Sequence, residues 1–369
     1  MKIGIITHHD VHNHGALLQL NALVKELESH GHSAAALSYT KNFDFLDKDA
    51  VNKYNITMKS VPYYLKYLMN KGIKKTLFNI KKKSVLEHFR NHNNLVGGYY
   101  SKEEHLDCVF VGSDEVFSIE PGLNTFFWGM GVPTKNVFSY AGCFGPTTLE
   151  FIKEKFAEEY ITAGVNRFNK ISVRDKNSKE IIYNLAKKEV PIVCDPVILY
   201  GYEKEIKELK KPNEDKYIVV YAYDNNMNDK EEVNKIQAFA KANNFKIISA
   251  GFYHNWCDKS INVTPIELIN YIKHAEYVIT DTFHGSVVSI IMNTPFTTKI
   301  RGNRNKLGYL LEEYELLSRE TVDFSDLDLI FKGGIDFERV NSIVSDKRKK
   351  SKEYLKKCLE EATVNNVGK

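Results

Sequence analysis

At 369 residues, with 43% hydrophobic and 27% charged side chains, the chain is long enough for two domains of ordinary size and too apolar for wholesale disorder. A net charge of +4 is small for this length and speaks against a nucleic-acid binder, leaving only local basic patches for phosphates or carboxylates. The five cysteines, Cys108, Cys143, Cys194, Cys257 and Cys358, are odd in number and contain no CxxC pair, so neither a disulfide framework nor a zinc site is expected.

The chain opens with an apolar run at 3–7, too short for a signal-peptide core, and reads as a buried strand. Asn13-His14-Gly15 is a turn, and Leu17, Leu20, Val24 and Leu27 recur at helical spacing up to Gly31. Residues 34–39 read as the next strand, and this strand–helix–strand opening predicts a parallel sheet. Residues 42–100 change character, with basic runs at Lys74-Lys75 and Lys81-Lys82-Lys83 and periodic apolar residues Leu65, Leu68, Leu77, Ile80 and Leu86. They read as helices inserted between sheet strands. Their basic faces are either plain solvated surface or a docking face for a membrane or a lipid-linked substrate.

Strands resume at 108–111, 136–140, 170–173 and 191–194, each followed by a polar or glycine-containing turn where open α/β sheets place ligands. A charged stretch at 203–215 interrupts the pattern. Beyond it the sequence predicts strands at 217–223, 246–250, 277–280 and 296–299, with helices at 230–243, 265–274 and 285–292. The expected fold is α/β, two Rossmann-like domains facing across a cleft. Their bounds are 1–205 for an acceptor-side domain and 213–335 for a donor-side domain. A tail at 336–369 holds an amphipathic helix between Lys347 and Ala362, expected to cross back to the first domain. Nowhere do eighteen apolar residues follow one another, so a cytoplasmic protein is expected, with the inner membrane face as an alternative location.

The chemistry concentrates at strand ends. Thr280-Asp281-Thr282-Phe283-His284-Gly285-Ser286 is a strand end, a polar turn and a helix start. The N–H groups at Gly285 and Ser286 offer an anion site, and His284 stands beside it as a proton donor or phosphate ligand. The competing reading is a plain capping turn, with Asp281 or Thr282 serving the helix backbone. Lys299, Arg301, Arg304 and Lys306 follow within eight residues, cations suited to a carboxylate or a phosphate; Lys306 reads as merely solvated. Arg174 repeats that logic in the first domain, with Asp175 placed to steady its guanidinium. The cluster His8, His9, Asp10, His12, Asn13 and His14 has metal-ligand residue types without metal-ligand spacing, so it reads as a sugar-binding turn and no metal is expected. The lone Gly15 is far from a dinucleotide fingerprint, which argues against NAD or FAD.

Together these segments resemble the polysaccharide pyruvyl transferase family. The segments that carry the resemblance begin with Asn13-His14-Gly15-Ala16-Leu17-Leu18-Gln19, then Val111-Gly112-Ser113-Asp114-Glu115-Val116-Phe117 and Ser139-Tyr140-Ala141-Gly142-Cys143-Phe144-Gly145. They continue with Ile171-Ser172-Val173-Arg174-Asp175, Cys194-Asp195-Pro196-Val197 and the 280–286 segment, in the family's order. Glu115 and Phe117 depart from it, where Gln and Trp are usual.

The resemblance implies a GT-B-like fold and no cofactor, with phosphoenolpyruvate as donor substrate and a sugar or lipid-linked oligosaccharide as acceptor. It carries the donor-site arginine onto Arg174 and the essential histidine onto His284. A later basic residue falls on Arg304, with Lys299 or Arg301 as alternates. The first-domain turns at Asn13, Gly15, Gln19, Ser113 and Asp114 would hold the acceptor. A GT-B glycosyltransferase using a nucleotide sugar is the alternative, and a non-catalytic glycan-binding protein a third reading.

Overall fold

The computed structural model describes residues 1–40, 72–302 and 304–367. The apolar positions Leu65 and Leu68, and the expected insertion before residue 72, lie outside the described residues.

Two five-stranded parallel sheets form the framework. The first holds β1 (Lys2–Ile6), β2 (Ser33–Ser38), β3 (Val96–Tyr99), β4 (Cys108–Val111) and β5 (Val137–Ser139), in the order β3-β2-β1-β4-β5. The second holds β6 (Tyr217–Tyr221), β7 (Lys246–Ala250), β8 (Lys259–Ile261), β9 (Tyr277–Thr280) and β10 (Phe296–Thr298), in the order β10-β9-β6-β7-β8. Counted from its own first strand, each sheet has the order 3-2-1-4-5, the first five strands of the doubly wound order. Central strands such as β4 and β6 are buried along their whole length, as parallel strands covered on both faces must be.

Two edge strands escaped the sequence reading. Residues 96–99 are β3 rather than part of a helical insertion, and Lys259–Ile261 is β8. Both lie at a sheet edge with partly exposed residues, so they lack the apolar run that marks a central strand. Conversely, the strands expected at 170–173 and 191–194 contribute only isolated bridges, Phe138 to Lys170, Gly142 to Val173 and Val173 to Ile192.

The helices that position the site are α1 (His14–Ser29), α2 (Ile73–His92), α3 (Lys176–Ala186), α4 (Pro196–Tyr200), α5 (Pro265–Lys273), α6 (Phe283–Met292) and α7 (Phe337–Val367). Asn13 caps α1 by accepting the Gly15 N–H at 2.8 Å. α1 reads as amphipathic in sequence, yet nearly all of it is buried, because α4 and α5 cover the face its own sheet leaves open. One apolar core therefore runs from Leu17, Leu20 and Leu23 of the first lobe to Leu268, Ile269 and Val287 of the second. α7 begins ten residues before the expected helix and runs along the first lobe. Its Ser351 hydroxyl accepts the Cys194 N–H at 2.9 Å, and its Tyr354 hydroxyl donates to the Ser139 carbonyl at 2.8 Å.

Candidate active site

Open parallel sheets bind ligands outside their carboxyl ends, at the point where strand order reverses. That point lies between β1 and β4 in the first lobe and between β6 and β9 in the second. The chain delivers His8 and Asn13 after β1, Asp114 and Glu115 after β4, Tyr223 after β6, and Phe283 and His284 after β9. The topology brings these side chains to the carboxyl ends of their own sheets, and contacts between the lobes set those ends together at one interlobe cleft.

Arg174 is a buried cation of the first lobe. Its Nη1 donates to Asp195 Oδ2 at 2.7 Å, and its Nη2 lies 3.2 Å from Cys143 Sγ and 3.4 Å from Asp114 Oδ1. Its Cζ sits 4.3 Å from the Phe283 ring centroid, a cation–π contact across the lobes. Burial opposes the charge, but Cys143, Asp195 and Asp114 outweigh it and hold the guanidinium above the ordinary arginine range. Asp175 does not steady it. Its Oδ1 accepts the Ser178 N–H at 2.7 Å and caps α3, a stronger local claim than its neighbour's guanidinium. Asp195 takes the role instead. Its Oδ1 caps α4 through the Val197 N–H at 2.9 Å, which leaves Oδ2 for Arg174.

His284 is buried in the first turn of α6. Its Nε2 is enclosed with no hydrogen-bond partner among the described residues, 3.6 Å from Asp195 Oδ2. The other side of the ring packs on Gly15, where an added Cβ would collide with the imidazole. Gly15 is therefore required by the second lobe, through close approach rather than its own backbone angles.

The 299–306 cations divide in a way the sequence reading did not foresee. Lys306, expected to be solvated, has a side chain only 13% exposed. Its Nζ donates to Glu115 Oε1 at 2.7 Å and lies 5.4 Å from the Phe283 centroid. Burial opposes its charge; Glu115 and then Asp114 prevail and raise its pKa. Arg304 is 66% exposed and pairs with Glu320. The π-helical turn Arg304–Gly308 explains the reversal, since residues two apart on a helix face different ways. Arg304 lines a separate open depression of about 410 Å³ with Lys176, Glu180 and Glu312. Lys299 pairs with Glu232, while Arg301 bridges Glu232 at 2.8 Å and Asp281 at 2.9 Å. The structure places these two in a charge network within the second lobe, not beside Arg174.

Gly285 and Ser286 are likewise turned inward. The Gly285 N–H donates to Thr282 Oγ1 at 2.9 Å, and Ser286 bonds the Thr282 carbonyl, the capping arrangement of an ordinary helix start. Of the residues expected to hold an acceptor, Gln19 and Ser113 bond each other, and Gln19 also reaches Thr7 Oγ1 at 3.4 Å. Both are buried behind the cleft floor, tying α1 to the ends of β1 and β4. Asp114 does face the cleft. Its φ of 76° puts a non-glycine residue in the left-handed region, a conformation costing on the order of 1–2 kcal/mol that persists only where the surroundings impose it. Burial opposes its charge, yet Lys306, then Arg174 and His284, hold its carboxyl well below the usual range. Asp114 is thus a standing anion, fit to accept hydroxyl hydrogen bonds rather than to store a proton.

The histidine-rich turn disperses. His8 Nε2 faces the Glu115 carbonyl at 3.4 Å, His9 packs edge-on to Tyr39, and His12 lies 3.8 Å from Glu87. His14 reaches the Val263 carbonyl of the second lobe at 2.9 Å. Tyr223, Phe283 and Asp195 are the residues the sequence reading did not single out. Asp195 and Phe283 lie inside segments already quoted, and Tyr223 is the last residue of the strand expected at 217–223; only the pairing of the two lobes shows that they converge.

The site is therefore two buried cations flanking one aromatic ring, with an imidazole beside them and three carboxylates compensating the charge. The crevice behind Arg174, lined also by Asp195, Phe283, Lys306 and Tyr314, has a volume of about 10 Å³, room for about one water.

Among solved structures, the chain is similar in fold to a UDP-N-acetylglucosamine 2-epimerase from Rickettsia bellii, at 13% identity and a TM-score of 0.52, with 99% of this chain and 98% of that one covered. A UDP-GlcNAc 2-epimerase from Methanocaldococcus jannaschii in complex with UDP-GlcNAc and UDP gives 15% identity and a TM-score of 0.49, covering 98% of this chain and 100% of that one. The Rickettsia bellii structure's likeness is one of fold alone, the GT-B arrangement of two Rossmann-like domains across a cleft. The sequence matches no curated protein. The polysaccharide pyruvyl transferase family matches residues 13–301, a span that runs from the cap of α1 to Arg301 and includes Asp114, Arg174, Asp195 and His284. The chain is a transferase that belongs to the polysaccharide pyruvyl transferase family.

Proposed function

We propose that the protein transfers the pyruvyl unit of phosphoenolpyruvate to two hydroxyls of one sugar, forming a ketal and releasing phosphate. The observation that carries this reading is the meeting of Arg174, Lys306 and His284, from both lobes, around Phe283 and Asp114. Phosphoenolpyruvate has two anionic groups and a methylene carbon that must gain a proton. Arg174 suits the planar carboxylate, because its fork matches two oxygens. Lys306, a compact point charge, suits the phosphate, with Glu115 as the partner the phosphate displaces.

His284 then delivers a proton from Nε2, which has no hydrogen-bond partner among the described residues, to the methylene carbon, which becomes a methyl group, while the Asp195 carboxylate 3.6 Å away compensates the ring's charge. One sugar hydroxyl bonds to the central carbon; phosphate departs as the second hydroxyl bonds to it. The two hydroxyl protons balance the one taken by the methyl group and the one leaving with phosphate. Asp114, Asn13 and Tyr223 line the side left for the sugar, and holding two hydroxyls in register is worth several kcal/mol of barrier.

The test is phosphate release from phosphoenolpyruvate across a panel of sugar acceptors, with the product's gain in mass as the second readout. Acceptor-dependent release with a pyruvyl-sized gain is expected. Release of nucleotide from UDP-sugars, with phosphoenolpyruvate untouched by every acceptor, would sink the reading.

A further inference from the structure

Helix α2 lies across the mouth of the cleft. Its inner face buries Phe78, Lys82, Leu86 and Phe89. Toward the second lobe, Lys75 Nζ donates to the Asp224 carbonyl at 2.8 Å, and Asn79 to the Asp224 carboxylate at 3.2 Å. Lys82 Nζ sits 3.6 Å from the Phe252 ring centroid. Toward the first lobe, Arg90 Nη1 donates to the His9 carbonyl at 3.2 Å. Asp224 and Phe252 follow β6 and β7, and His9 follows β1, so α2 touches the ligand-binding edge of both sheets.

The outer face of its first turns is apolar and open. Ile73 is 76% exposed, Leu77 61% and Ile80 63%. They stand at i, i+4 and i+7, a single stripe along the helix. Lys74, Lys81 and Lys83, all exposed, border that stripe. Other exposed aliphatic residues, such as Leu317, Val322 and Val367, lie apart from one another along the chain. No other described helix joins three of them to a lysine border. Isolated exposed aliphatics need no explanation, but a stripe at helical spacing does. Aliphatic side chains enter the acyl boundary of a bilayer while lysines at their flanks reach anionic headgroups.

We infer that the outer face of α2 docks on an anionic lipid bilayer and sets the cleft mouth against the membrane surface. For a polysaccharide enzyme this presents the site to an acceptor carried on a lipid. That use rests on the transfer reaction proposed above, whereas docking itself does not.

The experiment is sedimentation of the full-length protein with vesicles of phosphatidylcholine alone, or of phosphatidylcholine mixed with phosphatidylglycerol. Binding to the mixed vesicles alone is expected, weakening as salt is raised from about 0.1 to about 0.5 M. An Ile73→Ser, Leu77→Ser, Ile80→Ser triple variant and a Lys74→Gln, Lys81→Gln, Lys83→Gln triple variant should each bind about tenfold more weakly. Both should keep the wild-type melting temperature and turn over a soluble acceptor as wild type does. Equal binding by wild type and both variants, or none by wild type, overturns the inference. So does a fall of several degrees in the melting temperature of the serine variant, which would show that protein already covers the stripe. Vesicle binding without any turnover supports docking and removes only the transfer reading.

Discussion

Lys306 and Arg304 are separated by one residue and share a charge, yet one is enclosed between Glu115 and Phe283 while the other pairs with Glu320 at the rim. A charge-assisted bond to a ligand oxyanion is worth on the order of 2–3 kcal/mol, or tens- to hundreds-fold in catalytic efficiency. Lys306→Gln should therefore lower kcat/KM for phosphoenolpyruvate by that factor, and Arg304→Ala by less than about threefold, as exposed ion pairs contribute little. Steady-state kinetics on the two variants decide it; the reverse ranking would return the donor oxyanion to Arg304. Gly15 gives a second test at this scale. Gly15→Ala puts a methyl group into the space of the His284 ring, whose Cβ is anchored in a helix and cannot yield cheaply. Overpacking of this kind costs about 1–3 kcal/mol. Here kcat should fall at least about tenfold because a misplaced proton donor acts on the transition state. A variant with wild-type kcat would show that the ring position is not critical.

At the scale of the element, α1 joins the lobes because it is buried on every side. Its first residue, His14, is fully enclosed against Tyr221 and Phe252 of the second lobe. Burial, then the Lys82 charge, push its pKa down to about 3, against the opposing pull of the Val263 carbonyl. The native state thus holds this imidazole neutral through a range in which an unfolded chain, with a histidine pKa near ~6.5, takes up a proton. Between those values the unfolded state binds more protons, so stability should rise with pH from about 3 to about 6.5 and level off above. The His14 share of that slope is at most about 1.4 kcal/mol per pH unit. Urea unfolding of the wild type and of His14→Gln across this window isolates it. If the variant keeps the full slope, other groups carry the dependence.

For the whole molecule, α7 acts as a brace along the first lobe, where its buried Ser351 and Tyr354 hydroxyls bond backbone groups. Ser351 satisfies the Cys194 N–H directly before Asp195, the residue that holds both Arg174 and the end of α4. Ser351→Ala leaves a buried N–H unpaired, at a cost of about 1–3 kcal/mol. For a protein of this size that corresponds to a few degrees in the melting temperature. Because the loosened segment carries Asp195, the apparent KM for phosphoenolpyruvate should rise as well. A melting temperature lowered with no change in KM would make α7 a stabilising strut with no bearing on the site.

The sequence by itself determined the two parallel sheets, most of their strands and the segments at which chemistry gathers. Buried parallel strands are apolar runs such as 108–111 and 277–280, and the polar turns that end them are where such sheets bind ligands. Arg174, His284 and Asp114 were legible for that reason. What only the tertiary structure decided is what faces what. The edge strands β3 and β8 take their shape from a neighbour rather than from an apolar pattern of their own. Local hydrogen bonding claimed Asp175, Gly285 and Ser286 for helix caps, and Gln19 and Ser113 for each other. Asp195 and Lys306 entered the site from positions that look like ordinary cap and loop residues in sequence. Charge pairing acts over a few ångströms in space, and sequence spacing does not report it between segments as far apart as residues 114, 174, 195, 284 and 306.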